Sequence, residues 1–360
     1  MMLFNKKKKP EQMNYLEEHN KKESRVAVQK EERRNFIQAS YKLTRNVVVA
    51  GVVIGVGIYI FVMWYFREIP MKEAYEFDEV RLARIVSEIV RPLRQDEVGF
   101  RMQSEYALLV NISTGRVLFD HRGNERAYPA ALTTIMAVVL GLEHSELSDP
   151  IIMNADFDEL FRLGVGQAGF RPGESRTLSE VSHAIIISGG AEAVWSLANH
   201  VAGSYEAFVE QMNEKARELG MNNTNFITTT GLHHEDHYTT AYDMAILLQY
   251  ALENPDFRAI FTARSYQLES PTDLGTATLN ATLFGLLPDA TFVGGEIIGG
   301  RMGITNQAGR CLASLATNGD YDFVLITFGI PDPFMSNPSA SITDALLIYE
   351  YFLEVFEDDW

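Results

Sequence analysis

The period of the apolar positions changes several times along this chain, and the changes divide it. Residues 1–45 are polar and charged with no sustained apolar period, which predicts a solvated tail that is at most partly helical. Residues 47–66 are 20 uncharged positions in a row. At a rise of ~1.5 Å each they reach about 30 Å, the thickness of a bilayer core. Trp64 and Tyr65 close the run, where amphipathic rings favour the membrane interface. The pattern predicts one transmembrane helix over 46–67. A charged connector over 68–103 follows, in which Val80, Leu82, Ile85 and Ile89 mark a short amphipathic helix.

Residues 104–360 have the texture of a folded domain. Two apolar runs, 105–110 and 116–120, flank Asn111-Ile112-Ser113-Thr114-Gly115 and predict a β-hairpin. Pro129 introduces a helix over about 131–142. Helical periods then recur through 155–255, at 178–187, 191–202, 205–219 and 242–252. From Ser265 the texture is strand-like, at 265–268, 276–280, 296–302, 311–317 and 323–330, and a last helix is predicted over 343–356. This order predicts an α+β domain: an antiparallel sheet flanked by helices and holding both ends of the domain, with a helical block inserted after its first strands.

Charge orients the molecule. Residues 1–45 carry 12 Lys and Arg against 6 Asp and Glu, a net +6, and the total of −17 leaves −23 for residues 46–360. A basic N-terminal segment stays in the cytoplasm, so the expected arrangement is a single-pass protein of the cell membrane with its C-terminal domain outside. The long apolar run, with no small-residue cleavage site after it, reads as a signal anchor rather than a removed signal peptide. Gly51 and Gly55 form a GxxxG in the span, a candidate face for oligomerisation. The acidic ectodomain argues against binding nucleic acid or anionic wall polymers by bulk charge. The single cysteine, Cys311, excludes an intramolecular disulfide, so stability must come from a packed core.

The candidate chemistry begins at Tyr128-Pro129-Ala130-Ala131-Leu132-Thr133-Thr134-Ile135-Met136. This resembles the Pro-Ala-Ser-Leu-Thr-Lys-Ile-Met segment of the D-alanyl-D-alanine carboxypeptidases, the low-molecular-mass penicillin-binding proteins. Further resembling segments follow in order: 168–174, Ile187-Ser188-Gly189-Gly190-Ala191-Glu192-Ala193, 219–224, Thr230-Gly231-Leu232 with 237–244, and Arg301-Met302-Gly303 with Thr305 and Ala308-Gly309. The resemblance spans most of 104–350. It implies the serine β-lactamase/DD-peptidase fold, acyl transfer through a serine nucleophile, and no cofactor.

The reactive groups depart from that pattern. Ala131 stands at the serine and Thr134 at the lysine of the first motif. In the second motif Ser188 is present, but Gly190 stands where a carboxamide belongs. In the third, Arg301-Met302-Gly303 replaces Lys-Thr-Gly. Beyond Lys72 the chain has one lysine, Lys215, in a charged stretch that reads as a solvent-facing helix surface, so no register places lysines in both motifs. The resemblance puts the oxyanion donors at the backbone N–H groups of Ala131 and Ile304. It makes Ser188, Arg301, Gly303, Ile304 and Thr305 the candidate substrate contacts, with Arg301 facing a peptide carboxylate. The alternative is that Arg301 is structural and the cleft is empty or filled by Met302.

His233-His234-Glu235-Asp236-His237 has the residue types of a zinc site, but the family carries a polar loop here ending in a histidine matched by His237, so no metal is expected. Three functions follow. The first is an anchored, inactive carboxypeptidase homologue that binds peptidoglycan stem peptides or a cell-wall synthesis or division protein. The second is an active serine carboxypeptidase with an altered site. The third is a structural membrane-complex subunit with no ligand.

Overall fold

The computed structural model describes residues 92–268, 277–331 and 336–355. The chain divides into two units, 1–90 and 91–360, and every described residue belongs to the second. The predicted span over 46–67, its Gly51 and Gly55, and the amphipathic stretch near 80–89 lie outside the described residues. Among the described residues no helix is long and apolar enough to cross a membrane.

The predicted hairpin forms β1 (Tyr106–Asn111) and β2 (Arg116–His121). A 3-10 turn, Ala130–Thr133, then runs into α1 (Thr134–His144). A short pair, β3 (Pro150–Ile152) and β4 (Ser175–Thr177), brackets α2 (Phe157–Leu163). Next comes α3 (Leu178–His183), which widens into a π-turn over Ala184–Ser188. The helical block continues with α4 (Ala191–Ala202), α5 (Tyr205–Glu218), α6 (Ala241–Glu253) and α7 (Pro255–Phe261). β5 (Ser265–Leu268) and β6 (Ala277–Asn280) make a separate ribbon. After α8 (Thr282–Leu286) the chain returns to the main sheet through β7 (Thr291–Phe292), β8 (Gly295–Thr305), β9 (Gly309–Thr317) and β10 (Asp322–Ile330), and α9 (Ala340–Val355) follows.

The main sheet is antiparallel in the order β2-β1-β10-β9-β8-β7. β1 thus lies beside β10, so the sheet holds both ends of the domain and the helical block is an insertion, as the sequence pattern predicts. Residues 309–316 of β9 are all buried. Side chains alternate between the faces of a strand, so burial at every position requires cover on both faces. α9 supplies part of it: Tyr349 is fully buried, donates its hydroxyl to the Ser314 carbonyl at 3.1 Å and stacks on Phe292.

Two expectations change here. The Leu93 N–H donates to the Leu118 carbonyl and the Leu93 carbonyl accepts from Asp120 N–H, so residues 92–103 pack with the domain rather than hang from it. Lys215 does not face solvent. Its side chain is 12% exposed and pairs with Glu143 at 3.0 Å and Glu218 at 2.8 Å, tying α5 to α1. A charged stretch on a helix does not reveal from sequence which neighbouring helix supplies its partners.

In the 233–237 segment His234 stays beside Asp236, with Nδ1 accepting the Asp236 N–H at 3.1 Å, while His237 turns inward as a strut. It is 1% exposed. Its Nδ1 accepts from the N–H groups of Ile227 and Thr228, at 2.9 and 3.3 Å. The ring proton therefore sits on Nε2, which donates to Thr133 Oγ1 at 2.9 Å, and that hydroxyl donates to the Ala130 carbonyl. His237 thereby fixes the 3-10 turn that begins the first motif. Burial, with smaller effects of His234 and His233, lowers its pKa to about 4.

This arrangement gives the fold a pH dependence. The unfolded chain takes up the His237 proton near pH 6.5, whereas the folded chain resists it to about 4. The contribution is complete above pH 6.5 and is lost as pH falls toward 4, on the order of 3 kcal/mol in all. Urea unfolding at stepped pH is expected to show this decline and to show a flatter profile for His237→Gln. Equal slopes for the two proteins between pH 6.5 and 4 would contradict it.

Candidate functional site

The first motif sits on a strained turn. Ala130 adopts φ 47°, one of two non-glycine residues with positive φ among the described residues. An L-residue pays on the order of 1–2 kcal/mol for this conformation, so its neighbours must hold it. Gly231 does so by close approach: a Cβ there would lie 1.7 Å from the Ala130 carbonyl oxygen. Gly303 of β8 closes the other side, where a Cβ would lie 2.7 Å from Ala131 N. The turn leaves Ala131 half-buried and Thr134 2% exposed. The Ala131 N–H donates to no group among the described residues. The Thr134 hydroxyl donates back to the Ala131 carbonyl at 2.8 Å.

Arg301 reaches this turn from β8 and faces inward. Its side chain is 6% exposed, not displayed to a substrate. Nε donates to Thr134 Oγ1 at 3.1 Å and toward the Ala131 carbonyl at 3.3 Å, and Nη1 donates to the Ile186 carbonyl at 3.4 Å. One guanidinium thus links the serine and lysine positions of the first motif to the π-turn that leads into the second. Burial alone lowers its pKa to about 10, which leaves it charged at neutral pH. No carboxylate is paired with it among the described residues. The charge is offset instead by carbonyl oxygens, including that of Ile186 near the negative C-terminal end of the 178–188 helix.

The second motif is emptier than its sequence reads. Ser188 does not join the cluster, because its hydroxyl donates back to the Ala184 carbonyl at 2.8 Å. The position facing Arg301 is Gly189, where a Cβ would lie 3.4 Å from Nη1 and 3.6 Å from Nη2. Nor is Gly190 an open socket: a Cβ there would lie 2.8 Å from the Ala168 Cβ. Glu192 holds Ala168 in place. Its buried Oε1 accepts the N–H groups of Ala168, Gly169 and Phe170 at 2.7, 2.9 and 3.2 Å. Burial raises the Glu192 carboxyl above the usual carboxylate range, and these amides partly oppose the shift.

The remaining candidates lie around this core. Met302 falls on the face of β8 opposite Arg301 and Gly303 by strand alternation, so it does not fill the cleft. Ile304 is partly exposed on the same strand. Thr305 accepts the Ala308 N–H at 2.9 Å and closes the β8–β9 turn. Sequence reasoning missed Gly189, Ala168 and Glu192. Glu192 carried one signal, an acidic residue among small and apolar ones at a helix start, but its partners lie more than 20 positions away.

Chemically, no hydroxyl or thiol stands at the Ala131 position, and no amine base lies beside it. What remains is an unused backbone donor and a buried cation with two of its five N–H groups engaged, Nε on two acceptors and Nη1 on one.

Comparison with known proteins agrees with this fold. A sequence profile described as D-alanyl-D-alanine carboxypeptidase matches residues 93–332. The D-alanyl-D-alanine carboxypeptidase DacF of Bacillus subtilis is 32% identical over 250 residues, covering 68% of this chain and 61% of its own length. DacC of Escherichia coli is 28% identical over 238 residues, covering 62% and 55%. The chain thus spans about three fifths of the length of these relatives. The DD-transpeptidase of Streptomyces K15 shares the fold at a TM-score of 0.63 with 22% identity, over 71% of this chain and 98% of its own. The D-alanyl-D-alanine carboxypeptidase of Mycobacterium tuberculosis H37Rv shares it at 0.57 with 24% identity, over 64% and 84%. With its sheet, inserted helices and three motif positions gathered around Arg301, this chain belongs to the D-alanyl-D-alanine carboxypeptidase family.

Proposed function

We propose that this protein is a membrane-anchored, catalytically inactive homologue of the D-alanyl-D-alanine carboxypeptidases, acting in peptidoglycan biology as a scaffold rather than a hydrolase. One observation carries the reading: the Arg301 guanidinium occupies the meeting point of the motifs, where acyl transfer requires a nucleophile and its base. Attack on a peptide carbonyl needs an oxygen or sulfur that can form the acyl bond, and Ala131 presents a methyl group. It also needs a group that takes the proton near neutral pH, and neither Thr134 nor Arg301 does so. Loss of the nucleophile alone costs on the order of 10⁶ in rate in a serine hydrolase.

A second reading, retention of a stem peptide without turnover, draws support from the unused Ala131 N–H, a donor that survives any side-chain change. Arg301 adds little to it, since Nε and Nη1 already serve the protein. The anchor over 46–67, the cytoplasmic basic tail and partners among wall-synthesis or division proteins complete the proposal on the ground of charge and hydropathy.

Full-length protein in detergent is expected to show no boiling-resistant label with a fluorescent penicillin; covalent labelling would sink the inactive reading. Titration with a peptide ending in D-Ala-D-Ala tests retention, and undetectable affinity leaves the scaffold reading alone. Protease added outside intact spheroplasts is expected to digest residues beyond 67 and spare 1–45. Protection of the folded domain would contradict the orientation.

A further inference from the structure

The stretch between α2 and β4 crosses the second motif with few apolar contacts of its own. Gly164, Gly166, Gln167 and Gly169 are exposed. Its fixed points are the Gly166 carbonyl, which accepts Ala191 N–H at 2.9 Å, and the three successive N–H groups of Ala168, Gly169 and Phe170 converging on one Glu192 oxygen. Gly166 lies against the Gly189 carbonyl, 3.3 Å from where its Cβ would be, and Gly189 in turn lies on Arg301.

We infer that residues 164–170 form a strap latched by Glu192, which roofs Gly189 and Gly190 and opens as a local unit. Glu192 suits this role. Charge-assisted bonds from consecutive amides to one carboxylate are strong and directional. Its place in the first turn of α4, at the positive end of the helix, supports the negative charge without a cation. Its other oxygen, Oε2, is buried and has no hydrogen-bond partner, an unmet acceptor that makes the closed state less favourable. Both ends of the strap can turn: Gly164 and Gly169 adopt φ 64° and 94°. Beyond Gly169 the chain is pinned again by buried Phe170, beneath the Arg176 guanidinium at 5.2 Å. On the other side α2 carries Phe161, 82% exposed, and Leu163. Short segments with exposed backbone and one anchoring interaction open at low free energy, well below global unfolding.

The test is amide exchange of the full-length chain in detergent, read by mass spectrometry, with brief trypsin treatment at the Arg162–Leu163 bond, at the N-terminal end of the strap. Glu192→Ala is expected to speed exchange over 164–170 by at least about tenfold, to leave β9 and α1 unchanged, and to make Arg162 the first cleavage site. Gly190→Ala attacks the same closure from the other side: its Cβ would meet Ala168 Cβ at 2.8 Å with Glu192 intact, and the same local pattern is expected. Unchanged exchange over 164–170 in both variants would overturn the inference. So would an increase spread evenly over β9 and α1, which would make Glu192 an ordinary core group.

Discussion

A buried guanidinium that finds only neutral oxygens holds this site together. Arg301 leaves β8, crosses to the 3-10 turn and reaches the π-turn, touching Thr134, Ala131 and Ile186 on elements more than 50 residues apart in sequence. Burying a charge is costly unless its hydrogen-bonding directions are met. Here two carbonyl oxygens and a threonine hydroxyl meet Nε and one N–H of Nη1. The arrangement works only because neighbouring side chains are short. A lysine at 134 would set a second cation against Nε, and a Cβ at 189 would already be in contact with Nη1 at 3.4 Å, leaving no room for a longer side chain in that direction. Of the departures from the family pattern, Ala131 and Thr134 are bonded to Arg301, whereas Gly190 lies against Ala168.

The turn at the first motif is firmly held although the residues at the motif positions depart from the family pattern. The left-handed Ala130 persists under the combined hold of Gly231, Gly303 and the His237–Thr133 relay. Strain of this kind survives only where its surroundings over-determine it. The result is a firmly held turn that places the Ala131 methyl group at the serine position of the first motif. The second motif is closed from above by Ala168 rather than left open. A cleft treated this way suits a protein used for its shape and surfaces.

Much of the fold was legible because long elements show their period. The hairpin at 106–121, the helices at 191–202 and 205–218, and the strands from 295 to 330 all follow the apolar pattern closely. β3, β4, β7, α2, α7 and α8 were not legible, since two to seven residues are too few to display a period. The missing nucleophile and lysines could be read directly from residue types. The inward course of Arg301 could not, because an arginine on this strand can serve a ligand or the protein, and only the residues at 134 and 189 decide. Ser188 shows the opposite failure: the right residue type stands one position from the place that faces Arg301.

The central claim is that Arg301 serves the fold and not a reaction. The direct measurement is the unfolding free energy of Arg301→Lys against the parent chain. Lysine keeps a positive charge but has no planar fork to span Thr134, Ala131 and Ile186, and its buried ammonium is pushed toward neutrality. The account predicts a loss of about 2 kcal/mol, with no penicillin acylation gained. A variant as stable as the parent would contradict it.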